Sequence, residues 1–363
     1  MKTTPFLSKS KYLNGLQCSK LLWHYYNAKD EIPKTDAETQ AIFDQGHEVG
    51  ELAKKLYPDG IEVAKGLVDF EKVIEQTQKL ISKRKPLFEA AFRYKNAYAR
   101  ADILNPVGTG GWEIIEVKSS TEVKDVNLHD LSLQWYTYRG AGLDIRRSYV
   151  MHINNQYIRK GEIVPKEFFH LTDVTEQVLK LLPGVEENLD EMTEVIAAKT
   201  CPDIPIGTHC SEPYECPLHE KCFAFLPEHN PLTLYYFNSQ KAFSLINSGT
   251  TNVMEMSGHV TLSNKQAIQL ESLRSKKAHV DKGRIRSFLD TLEYPLYCLD
   301  FETIWPAIPL FDDTRPFQQI PFQFSLHVQK SAGGNTEHYS YLADGKADPR
   351  QELLRLLKKH LGA

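Results

Sequence analysis

A chain of 363 residues, 41% hydrophobic and 25% charged, has the balance of a globular protein, and its length favours two domains over one. A formal net charge of −4 excludes bulk basicity as the means of holding a polyanion, so a nucleic-acid partner must meet a local basic patch. There is no long uncharged apolar run and no apolar stretch near the N-terminus, so no membrane span and no secretory signal are expected; the six cysteines then belong to a reducing cytoplasm and point to metal before disulfides.

Apolar spacing predicts helices around Tyr12–Trp23, Thr39–Leu56 and, after a turn at Gly66, Phe70–Ile81. The period then shortens to two. Leu87–Tyr94, Ala97–Leu104 and Trp112–Val117 read as strands, the last two joined by a turn over 105–111. Helical spacing returns at Leu128–Arg139 and stops at Gly140. Arg147–Ile153 and Tyr157–Ile163 read as a hairpin turning at Asn154–Asn155, and a helix over Asp173–Ala198 is interrupted at Pro183–Gly184. Pro227 and Pro231 open a region, 226–284, with helices at Ser239–Ile246 and Ser263–Ser275. Strands at Glu293–Phe301, Phe322–Gln329 and His338–Leu342 precede an amphipathic helix, Asp348–Leu361. The expectation is α/β: a first domain over 1–225, a helical linker region over 226–284, and a small unit over 285–363 that cannot cover its own sheet.

The most informative residues are Asp102 on one predicted strand and Glu116-Val117-Lys118 on the next. Glu116 and Lys118, two apart, project to one face, and Asp102 can approach from the neighbouring strand. Two carboxylates so close call for a cation, and Mg²⁺ or Mn²⁺ prefers oxygen ligands. An ammonium beside them suits an attacking water or the charge on a phosphorane. The chemistry this fits is phosphodiester hydrolysis; a charged surface strand carries the same letters without function. His47, on an early helix, can add an imidazole. Gln134 and Tyr138 share one face of the helix after the strands. Lys79, Lys83, Arg84, Lys85, Arg139, Arg146 and Arg147 offer local positive charge for phosphates.

Taken in order, His47, Asp102, Glu116-Val117-Lys118 and Gln134-Trp135-Tyr136-Thr137-Tyr138 resemble the motifs of the RecB-like branch of PD-(D/E)xK nucleases, over roughly residues 7–225. That resemblance implies a restriction-endonuclease-like mixed sheet flanked by helices. It implies a catalytic metal on His47, Asp102, Glu116 and the backbone carbonyl of Val117, with Lys118 orienting or activating water. Gln134 and Tyr138 would contact the nucleic acid, DNA before RNA.

Cys210, Cys216 and Cys222 follow one another with five residues between neighbours. Zinc sites favour CxxC pairs, so this spacing suits zinc poorly, whereas four thiolates suit an iron–sulfur cluster; Cys18 and Cys201 compete for the fourth place. One distant N-terminal cysteine and three C-terminal ones around such a nuclease resemble the CRISPR-associated adaptation exonucleases and AddB-type nucleases. The resemblance implies a [4Fe–4S] cluster on Cys18, Cys210, Cys216 and Cys222 that staples the two ends of the domain.

Near the C-terminus, Leu299-Asp300-Phe301-Glu302-Thr303 closes an apolar strand and resembles the first motif of DnaQ-like exonucleases of the RNase H fold. It implies a possible second metal site at Asp300 and Glu302 in a partial RNase H-like unit, truncated or reduced to a scaffold, since the later acids of such a site do not follow. The pairing of the two nuclease types resembles an uncharacterised family. The leading reading is a metal-dependent nuclease, an exonuclease on single strands or ends. Its rivals are a cluster-stabilised nucleic-acid-binding or adaptor protein and a structural zinc protein.

Overall fold

A computed structural model describes residues 6–63, 69–256 and 260–362; the turn expected at Gly66 lies outside the described residues. A short strand, β1 (Leu7–Ser8), runs into α1 (Lys9–Gln17). The single helix expected over Tyr12–Trp23 is two, because Cys18 adopts an extended backbone (φ −162°) and separates α1 from α2 (Ser19–Asn27). α3 (Ala37–Lys54) starts where the Asp36 carboxylate accepts the Thr39 N–H, and β2 (Ile61–Glu62) follows. α4 (Phe70–Ile81) is capped in the same way by Asp69 on Glu71.

Next come β3 (Leu87–Tyr94), β4 (Ala97–Val107) and β5 (Gly111–Lys118), then α5 (Asp125–Gly140) and β6 (Asp144–Ile153). After α6 (Pro165–Phe168) and β7 (Phe169–Asp173), α7 (Thr175–Leu181) and α8 (Pro183–Ala197) form the interrupted helix, with Pro183 tolerated because it opens α8. The strands join in one mixed sheet of order β2-β3-β4-β5-β6-β7, with β1 pairing parallel to the start of β4. β5 and β6 are parallel, and β3, β4 and β5 antiparallel.

The sheet is buried on both faces. Leu104, Ile114, Leu131, Trp135 and Val73 fill the core under α4 and α5, and Ile103, Ile115, Met151, Val49 and Ala53 fill the core under α3. Among the described residues no helix is long and apolar enough to cross a membrane.

The expected hairpin strand over Tyr157–Ile163 is not formed. β7 takes its place beside β6, pairing Ile153 with Phe169. Backbone groups of the 157–163 segment bond elsewhere: Arg159 N–H donates to Thr314 O at 3.1 Å, Arg159 O accepts from Asp313, and Gly161 N–H donates to the Asp312 carboxylate at 2.7 Å. A segment whose hydrogen bonds go to another part of the chain has no need of a sheet neighbour.

The region from 219 onward carries α9 (His219–Phe223), α10 (Ser239–Asn247), α11 (Asn264–Ser275) and α12 (Lys282–Leu289). A second sheet of order β10-β9-β8 is built from β8 (Leu296–Ile304), β9 (Ile320–Gln329) and β10 (Thr336–Leu342). α13 (Arg350–Leu361) buries Leu353 and Leu357 against Phe324, Leu326 and Val328 of β9. β8 lies at the edge, with Tyr297, Leu299 and Phe301 exposed. The β8–β9 connection returns to the first sheet. Ala307 is buried in the core under α3, and its N–H donates to Gln45 Oε1 at 2.9 Å.

Candidate active site

The site forms where β4 and β5 part. Their register pairs Ile103 with Ile115, which sets Asp102 against Glu116 at the next step. There the ladder stops, and the Val117 N–H donates instead to Asp102 Oδ2 at 2.7 Å. On the other side β3 opens too. Glu89, opposite Asp102, has φ +60°, a left-handed conformation that costs a non-glycine residue energy and is often kept at functional sites. The Tyr138 hydroxyl bridges the two strands beside it, accepting from the Ala101 N–H (2.7 Å) and donating to Ala90 O (2.6 Å).

α5 closes the site from one face with Asp130, Gln134 and Tyr138, a stripe at helical spacing. Glu116, only 1% exposed, is fully engaged: its Oε1 receives Lys118 Nζ (2.7 Å) and Lys9 Nζ (2.6 Å), and its Oε2 receives Gln134 Nε2 (2.7 Å). Asp130 accepts from Lys118 at 3.0 Å and from Gln134 at 2.9 Å. Burial alone would raise the Glu116 carboxyl, but Lys118 and Lys9 hold it well below the usual carboxylate range. Burial likewise works against charge on Lys118, and Asp130 and Glu116 overcome it and raise its ammonium. For Asp102, burial and the neighbouring Glu116 charge prevail over the lysines and push its carboxyl up to about 7.

α3 supplies the other wall. His47 is exposed and shares a cleft of ≈ 140 Å³ with Asp102, Val117, Glu51 and Glu89. Gly46 and Gly50 flank His47 in that cleft, and a Cβ added at either would meet nothing within 4 Å. The donor set of oxygen and imidazole groups around this space fits a hard divalent cation. Among the described residues, no group of three or more His, Cys, Asp or Glu stands close enough to hold an ion as it is. Gln134 Oε1 is buried without a partner among the described residues, an acceptor left over in the site.

Asp102, Glu116 and Lys118 thus meet as expected, with His47 across the cleft. Gln134 and Tyr138 are buried, at 0% exposure, so they brace the carboxylates and the strands and do not face a surface open to nucleic acid. The basic residues divide as well. Arg84 and Arg146 donate to carbonyls of the β4–β5 turn, at the far end of the strands from the site. Lys9 and Asp130 were not anticipated. Asp130 was readable as the residue one turn before Gln134, whereas Lys9, 107 positions from Glu116, left no local signal.

Cys18, Cys210, Cys216 and Cys222 line one narrow cavity between the α1–α2 break and the loop after α8. Gln17 ties the two sides, donating to His209 O (2.8 Å) and Tyr214 O (2.7 Å). Burial raises the Cys216 thiol to about 11 and that of Cys210 above its usual value. The sulfur of Cys201 lies 3.8 Å from His24 Nδ1. Asp300 and Glu302 sit exposed on the edge strand β8.

A family model described as "Domain of unknown function (DUF2779)" matches residues 297–363, from β8 to the end of α13. A search of curated proteins finds no match. A solved structure titled "Crystal structure of SSO0001" is similar at 13% identity over 51% of this chain and 100% of that one, with a TM-score of 0.20, too low to carry an argument about fold.

Proposed function

We propose that this protein is a metal-dependent nuclease that hydrolyses phosphodiester bonds of nucleic acid, DNA before RNA, at single strands or ends. One observation carries the reading: Asp102, Glu116 and Lys118 converge where two strands part, beside a cleft that His47 lines. A mixed sheet between α3 and α5 suits a restriction-endonuclease-like domain, and the C-terminal sheet suits a partial RNase H-like unit.

Asp102, Glu116, His47 and the Val117 carbonyl would hold Mg²⁺ or Mn²⁺, which when bound polarises a phosphate and acidifies a water. Lys118, fixed between Glu116 and Asp130, orients the attacking water and offsets charge on the phosphorane. Gln134 holds the second oxygen of Glu116 and fixes the orientation of the carboxylate. Cys18, Cys210, Cys216 and Cys222 would hold a [4Fe–4S] cluster with a structural role, since they converge on one cavity away from the cleft.

The test is cleavage of labelled single- and double-stranded DNA and RNA by the wild type and Glu116→Gln, with Mg²⁺ and with Mn²⁺. Metal-dependent cleavage should fall about a hundredfold or more in the variant. Equal rates, or an inactive wild type with both metals, would end the proposal. Protein isolated under nitrogen should carry iron and a visible absorption band; zinc without iron would remove the cluster from it.

A further inference from the structure

Lys9 has no place in the motif reading, yet it makes the shortest ion pair of the site. β1 lays Leu7 beside Ala97 at the start of β4, and α1 begins at once, so Lys9 projects into the gap between the sheet and α5. Its Nζ stands 2.6 Å from Glu116 Oε1 and 3.5 Å from Asp130 Oδ2. Lys118 Nζ meets the same two oxygens at 2.7 and 3.0 Å. The two carboxylates therefore share two ammonium groups.

This balance creates a conflict. A divalent ion that takes Glu116 as ligand needs an oxygen that two lysines already hold, and it adds two positive charges beside them. One ammonium has to yield. Lys118 is fixed on a central strand next to Val117 and stays on Asp130. Lys9 and Lys118 side chains are equally exposed, at 25%, but Lys9 is the first residue of a helix that follows a two-residue strand, so its backbone is held less firmly and its side chain can swing away.

We infer that Lys9 is an exchangeable counter-ion: it occupies Glu116 when the metal is absent and gives way when the metal binds. This rests on the nuclease reading of the site. Lys9 is then a positioning residue that keeps Glu116 and Asp130 from repelling one another in the metal-free protein. Its release also leaves a free ammonium beside Glu116 and Asp130, suited to a phosphate oxygen of the substrate.

The test is Mn²⁺ binding by calorimetry, with thermal unfolding in chelator and in Mn²⁺, for the full chain and for Lys9→Met, Lys9→Arg and Glu116→Gln. Removing the competing charge should tighten Mn²⁺ binding by about tenfold in Lys9→Met. That variant should melt earlier than the wild type in chelator and gain more from Mn²⁺. Lys9→Arg, which keeps the charge, should behave as the wild type. If Lys9→Met does not fold, Lys9→Gln carries the same comparison, because it keeps a donor to Glu116 and drops the charge. Unchanged or weaker Mn²⁺ binding in the uncharged variant, with binding lost in Glu116→Gln, overturns the role of Lys9 alone. Wild-type Mn²⁺ binding in Glu116→Gln overturns the site and Lys9 with it.

Discussion

Asp102 and Glu116 oppose one another on adjacent strands, yet their carboxyls are driven in opposite directions. Glu116 takes both lysines and Gln134 directly, so it keeps its charge. Asp102 is left with one backbone N–H and the field of Glu116, and burial raises it from 3.8 to about 7. A pH dependence follows. Between those two values the folded protein binds a proton that the unfolded chain has released, so stability falls as pH rises through the window. The contribution is complete below the unfolded value and gone above the folded one. In chelator, denaturant midpoints measured from acid to neutral pH should show this decline, and Asp102→Asn should flatten it. Mn²⁺ prefers the ionised carboxylate, so its stabilising effect should grow across the same window. An identical pH slope in Asp102→Asn would show that another group titrates. Glu116 was legible in the sequence because strand alternation puts it on one face with Lys118, and Asp102 because it lies on the neighbouring strand. Gln134 was legible as a helix-face neighbour, but its burial was not: that depends on how closely α5 packs on the sheet. Lys9 could not be read at all, since only the β1–β4 pairing brings it to Glu116.

α3 is an 18-residue helix that tolerates two glycines in its interior at the positions lining the cleft. Glycine there costs about 1 kcal/mol relative to alanine, and no neighbour lies close enough to require it. What the two glycines leave is room beside His47. Gly50→Ala should therefore raise stability by roughly 0.5–1 kcal/mol and slow metal-dependent cleavage, because the added methyl narrows the cleft. Unfolding curves and initial rates on one preparation check both parts. A stabilised variant with undiminished cleavage would mean that the open space has no part in binding. At this scale the sequence was informative where local rules operate. The expected spans of α4 and β3 coincide with the observed ones: Asp69 caps the helix, and β3 is a short apolar run buried on both faces. It misled where distant groups decide. The strand expected at Tyr157–Ile163 gives its hydrogen bonds to residues 312–314, and α1 and α2 part at Cys18, beside the other three cysteines.

Links between distant parts of the chain shape the molecule as a whole. The β8–β9 connection seats Ala307 under α3, and Arg159 donates to Pro309 O and Leu310 O at 2.7 Å, so the C-terminal sheet is joined to the first one. The region expected as a linker also packs: Ile246 of α10 meets Ile206 and Cys210, and Asn247 donates to Ile206 O at 3.0 Å. The cysteine cavity is another long-range join, bringing the α1–α2 break at Cys18 to Cys222. α1 runs from that join to the site, with Lys9 at one end and Gln17 next to Cys18 at the other. A cross-link closing a loop of this length removes roughly 5 kcal/mol of entropy from the unfolded chain. Cys18→Ser should accordingly lower the melting temperature by several degrees or more and reduce the iron content. It should also loosen α1, visible as faster amide exchange over its nine residues. Cys298, exposed on β8 and far from the other cysteines in sequence, serves as the control, and Cys298→Ser should leave all three measurements unchanged. If Cys18→Ser kept its iron and its melting temperature while Cys201→Ser lost both, the fourth ligand would be Cys201. The tie from the cysteine centre to Lys9 would then run through α8 and α2 and not along α1.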